Sequence, residues 1–197
     1  PPQMTSNASD ENEGRFKGRY RTQSDRLQDW DYAAPGAYFV TICTKHKRPF
    51  FGEVVEDAMR LSPIGAIAEE EWRRTETLRP NISLDEFIIM PNHLHGIILI
   101  QESVETFCKT SLQHPDLDAQ TKKMSAISPR AGSLGVIIRS YKGAVTRWAR
   151  TNGYPHFAWQ RGYHDHIIRD PRDLDRIRRY IRQNPLKWAL DKYHVDG

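Results

Sequence analysis

Two histidines one residue apart, His93 and His95, are the residues of this 197-residue chain best suited to chemistry. They lie in the run Phe87-Ile88-Ile89-Met90-Pro91-Asn92-His93-Leu94-His95-Gly96-Ile97-Ile98-Leu99-Ile100. The flanking apolar residues predict two buried β-strands, and strand alternation puts both imidazoles on one face with Leu94 on the other. Imidazoles placed this way can chelate one divalent metal ion. The same pattern also fits two strand histidines bonded to their neighbours, so a second group has to decide between the readings.

That group lies far downstream, in the segment from Asp170 to Pro185. Asp170 suits an N-cap, Pro171 the first helical position, and Pro185 turns Asn184 away from helix, so both ends of a short helix are signalled. Leu174, Ile177 and Ile181 form its apolar stripe, with Tyr180 and Asn184 four residues apart on the flank. Taken alone, these two read as a tyrosine covering a core edge and an asparagine ending a helix. Combined with the histidines, they offer a nucleophile, a metal and an oxygen ligand, the parts needed to open a phosphodiester without water as nucleophile. A phenol of ordinary pKa about 10 is mostly protonated at neutral pH and needs a metal's electrostatic help or a nearby base. The resulting phosphotyrosine keeps the energy of the phosphodiester, so a 3′-hydroxyl can later rejoin the DNA, which suits strand transfer better than digestion.

Three ordered blocks carry a family resemblance: Met90-Pro91-Asn92-His93-Leu94-His95, Trp159-Gln160-Arg161-Gly162-Tyr163-His164-Asp165-His166-Ile167-Ile168-Arg169, and Arg179-Tyr180-Ile181-Arg182-Gln183-Asn184-Pro185. With Pro35-Gly36-Ala37-Tyr38-Phe39-Val40-Thr41, they resemble the HUH-superfamily single-tyrosine (IS200-like) transposases, most closely the REP-associated tyrosine transposases of bacteria, over roughly residues 35 to 190. The resemblance implies that His93 and His95 bind Mg²⁺ or Mn²⁺ and that Tyr180 attacks single-stranded DNA beside a hairpin. Asn184 stands where insertion-sequence members carry a glutamine as third metal ligand. His166 matches a further family position, as an accessory residue. A ferredoxin-like (RRM-like) topology and a monomer or homodimer are implied as well.

Other residues compete for these roles. Tyr141 is a rival nucleophile, but Leu134, Ile138, Tyr141, Val145 and Trp148 share one helical stripe, which reads as core. His156, His164 and His166 suggest a zinc hydrolase, yet neither His-Glu-x-x-His nor a cysteine pair supports it.

Charge follows the same division of the chain. Residues 130–197 hold 14 Lys/Arg against 6 Asp/Glu, although the net charge of the whole is only +4. Arg139, Lys142, Arg161, Arg169, Arg176, Arg179 and Arg182 are candidates to neutralise DNA phosphates, with Trp159, Tyr163 and Trp188 available to stack on unpaired bases. Some of these cations will instead solvate helix faces.

The remaining elements must position these groups. Residues 1–34 read as a flexible N-terminal arm with a basic, aromatic stretch at Arg15 to Arg21, residues 35–190 as one domain, and residues 191–197 as a tail. Tyr38 to Thr44 reads as a first strand, Pro49 to Val55 as its returning partner, Ser62 to Leu78 and Gly132 to Arg150 as helices, and about 101–132 as a mobile insertion. The pattern predicts an α+β sandwich, a mainly antiparallel sheet covered by helices on one face. Cys43 and Cys108 provide no disulfide framework or metal-ligand spacing, and no apolar run approaches the roughly 20 residues of a membrane span, so a cytoplasmic, nucleoid-associated protein is expected. Alternatives left open are a non-catalytic nucleic-acid-binding module on the same fold and a metal-dependent nuclease using water.

Overall fold

The computed structural model describes residues 15–16, 20–21, 30–102 and 132–194. Residues 1–30 form a unit of their own, in which β1 (Arg15–Phe16) pairs antiparallel with β2 (Tyr20–Arg21). The expected insertion at 101–132 lies outside the described residues apart from its ends.

In the second unit, Asp31–Gly197, runs of β-branched and aromatic residues form β3 (Gly36–Cys43), β6 (Ile82–Met90), β7 (His93–Ile100) and β8 (His164–Ile168). They make one antiparallel sheet of order β6-β7-β3-β8. Helix α1 (Pro63–Thr77) links β3 to β6, and α2 (Leu134–Thr151) links β7 to β8, giving the βαββαβ order of a ferredoxin-like fold. Ser62 caps α1, its Oγ accepting from the Gly65 amide at 3.1 Å.

The returning partner expected at Pro49 to Val55 is not there. Gly52–Val55 (β4) pairs with Ala58–Leu61 (β5) in a separate hairpin. Its two central residues, Glu56 and Asp57, both have positive φ (48° and 61°), which fits the tight turn that closes a two-residue hairpin locally. The edge of β3 goes instead to β7, in register from Gly36 opposite Ile100 to Cys43 opposite His93.

Alternation then divides the core. Tyr38, Val40, Ile42, Leu94 and Ile98 are fully buried on the face that takes α1 and α2, where Trp72 of α1 stacks edge-on against Tyr141 of α2 at 5.2 Å. Gly96 lies on that face, where a Cβ would sit 2.5 Å from Cζ2 of Trp72. Phe39, Ile97 and Ile168 face the other way and pack with Ile177 and Ile181 of a third helix, α3 (Pro171–Arg182). The two helices expected over one face are present, and α3 is a further layer on the opposite face, the one that carries the histidines. Its N-cap is Asp170, whose Oδ1 accepts from the Asp173 amide at 2.9 Å.

A bulge between Leu84 and Phe87 of β6 turns Asp85 and Glu86 toward α3. Asp85 takes a two-pronged bond from Arg178 (2.8 and 2.6 Å), and Glu86 accepts from Arg182 Nε at 2.9 Å. These pairs fix the height of α3 over the sheet. Among the described residues, no helix is long and apolar enough to cross a membrane.

Because Trp72 is fully buried and has no room to retreat, Gly96→Ala should destabilise the protein by about 1–3 kcal/mol through overpacking, read by urea denaturation.

Candidate active site: a histidine pair facing a tyrosine

Both histidines are buried, His93 at 0% and His95 at 1% exposure, with their rings 4.4 Å apart. Each ring has one nitrogen engaged by a fixed partner. Asn92 donates both amide hydrogens, to Lys47 O (2.9 Å) and Tyr193 O (2.7 Å), so its Oδ1 is the acceptor facing His93 Nδ1 at 2.8 Å. The network therefore puts the His93 proton on Nδ1 and leaves a lone pair on Nε2, which is buried and has no partner. His95 Nδ1 bonds Thr41 Oγ1 at 2.9 Å across the β3–β7 register. Its Nε2 faces the Tyr180 hydroxyl at 3.1 Å.

Helix α3 brings Tyr180 there. Asp173, Ile177, Tyr180 and Asn184 fall at helical spacing, and the Tyr180 ring meets Phe39 edge-on (6.1 Å) and His95 (5.1 Å). Tyr180 is 40% exposed, whereas the rival Tyr141 is 2% exposed, packed against Trp72 and Trp159, with its hydroxyl pushed strongly toward the neutral form by burial. Burial first, then the negative charge of Asp191 and the neighbouring Tyr193, pushes the Tyr180 phenol up to about 12. The chain alone therefore holds Tyr180 protonated.

The C-terminal tail, read from sequence as lying outside the domain, completes the site. After a 3₁₀ turn at Pro185–Leu190, Asp191 brings a carboxylate to the histidines, so that ligating atoms of His93, His95 and Asp191 lie within 4.8 Å of one another. Asn184, 2% exposed, donates Nδ2 to Asp191 Oδ2 at 3.1 Å, while its own Oδ1 is buried without a partner beside this cluster. The Tyr193 ring lies 4.6 Å from that of His93. Two neutral imidazoles and a carboxylate make an N₂O set suited to a divalent ion, and the partnerless His93 Nε2 is the observation that fits such an ion here. Among the described residues, His, Cys, Asp and Glu donors converge in this way at this place only, so His156, His164 and His166 form no zinc site.

The remaining candidates fall into distinct environments. His166 and His164 line the same cavity as Tyr180 and His95, and His166 Nε2 bonds Asp173 Oδ2 at 2.7 Å. Arg176 also engages Asp173, and Arg182 engages Glu86, so both cations already hold carboxylates. Lys142 is drawn inward: its Nζ donates to Gln160 O (2.8 Å) and Gly162 O (2.9 Å), and burial lowers it to about 8. It fastens the loop that carries Arg161. Arg139, Arg161, Arg169 and Arg179 are exposed, with no ion pair among the described residues. Thr41, Asn92, Asp191 and Tyr193 are site residues that sequence reasoning passes over. Thr41 carries a signal, as a polar residue on the histidine face of an apolar strand, and so does Asn92, inside the Met90–His95 block, whereas Asp191 and Tyr193 carry none.

No protein-family model matches the chain. A Haemophilus influenzae protein described as "Uncharacterized protein" is 38% identical over 179 residues, covering 91% of this chain and 96% of its own length. The solved structure of a REP-associated tyrosine transposase bound to a REP hairpin superposes with a TM-score of 0.54 at 17% identity, over 86% of this chain and 77% of that one.

Burial holds the His93 imidazole at about 3 and that of His95 well below the usual 6.5. Below about pH 6.5 the unfolded chain binds protons there that the folded chain refuses, down to about pH 3 for His93. The stability of metal-free protein should therefore fall as pH drops through that window, by up to about 1.4 kcal/mol per pH unit for each such histidine. Urea denaturation across pH 7 to 4 measures this, and His93→Gln should flatten part of the slope.

Proposed function

Since the chain belongs to one family with the Haemophilus influenzae protein and has the fold of a REP-associated tyrosine transposase, we propose that it is a single-tyrosine DNA strand transferase of the HUH superfamily. It nicks and rejoins single-stranded or hairpin DNA through a 5′-phosphotyrosine linkage at Tyr180. The observation that carries this reading is the Tyr180 hydroxyl 3.1 Å from His95 Nε2, at the edge of the His93, His95 and Asp191 cluster.

In the nicking step, Tyr180 Oη gives up its proton and forms a bond to phosphorus, the P–O3′ bond breaks, and the departing 3′-oxygen takes up a proton, so the proton lost by the phenol is balanced by the one gained by the new 3′-hydroxyl. Rejoining is the reverse, a 3′-hydroxyl displacing the tyrosine. His93, His95 and Asp191 would hold Mg²⁺ or Mn²⁺, with Asn184 Oδ1 as a neighbouring oxygen donor. Such an ion would supply positive charge that stabilises a phenolate and the charge that develops on a five-coordinate phosphorus. The protein's own part is positional. Phe39 and Ile177 wall the cavity against water on one side, while Lys187 and Lys192 line it with positive charge for a phosphate backbone. The exposed Arg161, Arg169 and Arg179 extend that charge. Arg139 sits on α2, in the layer across the sheet from Tyr180, and serves DNA that wraps beyond the site. His166, held by Asp173, is an accessory residue of the same cavity. The protein works on DNA in the cytoplasm, as a monomer or homodimer.

With Mn²⁺ and a labelled single-stranded hairpin oligonucleotide, the wild type should give a slow, protease-sensitive band on a denaturing gel. Tyr180→Phe should lose that band entirely while binding the oligonucleotide within about threefold of wild type. Binding without any band in the wild type would favour a non-catalytic module, and cleaved DNA free of protein would favour a nuclease using water. Asp191→Ala should weaken Mn²⁺ binding by at least tenfold in calorimetry, the loss typical of a metal-site residue.

A further inference from the structure

Asn92 lies between the histidines and the C-terminal segment, is 1% exposed, and has every polar atom of its side chain spoken for. Its Oδ1 accepts from His93 Nδ1, and its two amide hydrogens go to carbonyls of separate segments, Lys47 O in the loop after β3 and Tyr193 O beyond α3. A carboxamide can do this because it carries an acceptor and a double donor on one rigid plane. Neither aspartate nor leucine reproduces both ends.

We propose that Asn92 is a two-ended positioning residue. One end sets the His93 tautomer so that Nε2 presents its lone pair to the cluster, and the other latches the Asp191–Tyr193 strap that delivers the third ligand.

The surroundings point the same way. The Thr44 amide donates to Asn92 O at 2.8 Å, which holds the Asn92 backbone against β3, and the Thr44 hydroxyl, 2.7 Å from Arg48 O, lies 3.0 Å from the same oxygen. The loop offering Lys47 O has His46 and Lys47 at positive φ (57° and 53°), a conformation non-glycine residues seldom adopt unless neighbouring contacts impose it. Lys47 also donates Nζ to Lys192 O at 2.7 Å, so the loop grips the strap on both sides of the Asn92 bond. On the strap, the Tyr193 amide donates to Asp191 Oδ1 at 2.7 Å, so holding Tyr193 also orients the carboxylate. A partner of a ligating histidine typically changes metal affinity 10- to 100-fold when lost.

The inference rests on the metal reading for its binding arm alone, since the tautomer and the strap can be followed without metal or DNA. Two variants separate the two ends. Asn92→Asp keeps an acceptor for His93 but sets a second oxygen against two carbonyls, whereas Asn92→Ala removes both ends. In side-chain ¹⁵N NMR of metal-free protein, His93 should be the Nδ1–H tautomer in wild type and Asn92→Asp, and a mixture in Asn92→Ala. Limited proteolysis should cut the strap at Lys192 at least fivefold faster in both variants than in wild type. Calorimetric Mn²⁺ affinity should fall 10- to 100-fold in Asn92→Ala. An unchanged tautomer and an unchanged Mn²⁺ affinity in Asn92→Ala would overturn the proposal, as would strap cleavage at the wild-type rate in both variants. If the wild type itself fails to bind Mn²⁺, the metal reading falls, while the tautomer and the cleavage rates still decide the role of Asn92.

Discussion

Burying two imidazoles side by side on a central strand is costly unless their nitrogens are matched to partners, and this constraint shapes the whole face of the sheet that carries the site. His95 is served by Thr41 on one side and Tyr180 on the other, His93 by Asn92 on one side. The nitrogen left over, His93 Nε2, is buried without a partner in a ring that belongs to the His93, His95 and Asp191 cluster. Both rings are held neutral, the form that can ligate a metal, because burial penalises their charged states. The desolvation that makes the pair expensive in the folded protein thus also prepares it as a ligand pair.

Placement of the tyrosine follows from a second set of forces. Helix α3 is capped by Asp170, seated by Ile177 and Ile181 in the core, and pinned to the bulge in β6 by Arg178 and Arg182. With the helix fixed at these points, Tyr180 has little choice but to lie over His95. The contrast with Tyr141 separates packing from access: both are phenols on amphipathic helices, but Tyr141 is sealed between two tryptophans while Tyr180 opens onto the cavity.

Local signals make much of this legible in the sequence. The ends of α3 are written in Asp170, Pro171 and Pro185, the paired faces of β7 in the alternation of His93, Leu94 and His95, and the burial of Tyr141 in its helical stripe. Signals that depend on the fold are not. Asp191 follows a 3₁₀ turn with no periodicity, so nothing in the sequence places it beside residues almost a hundred positions earlier. The same separation hides Arg182 from Glu86, and a count of cations cannot tell an arginine committed to a carboxylate from one free to meet a phosphate. Pro49 to Val55 misleads because a tight turn at Glu56 and Asp57 satisfies the strand locally before β3 can claim it.

Everything proposed for this site turns on Tyr180 acting as the nucleophile beside a bound metal ion. The most direct measurement is mass spectrometry of proteolytic peptides after incubation with Mn²⁺ and a hairpin oligonucleotide. A peptide bearing a 5′-linked nucleotide on Tyr180 is the expected product. A nucleotide on Tyr141 or Tyr193, or cleaved DNA with a free 5′-phosphate and no linked peptide, would contradict it.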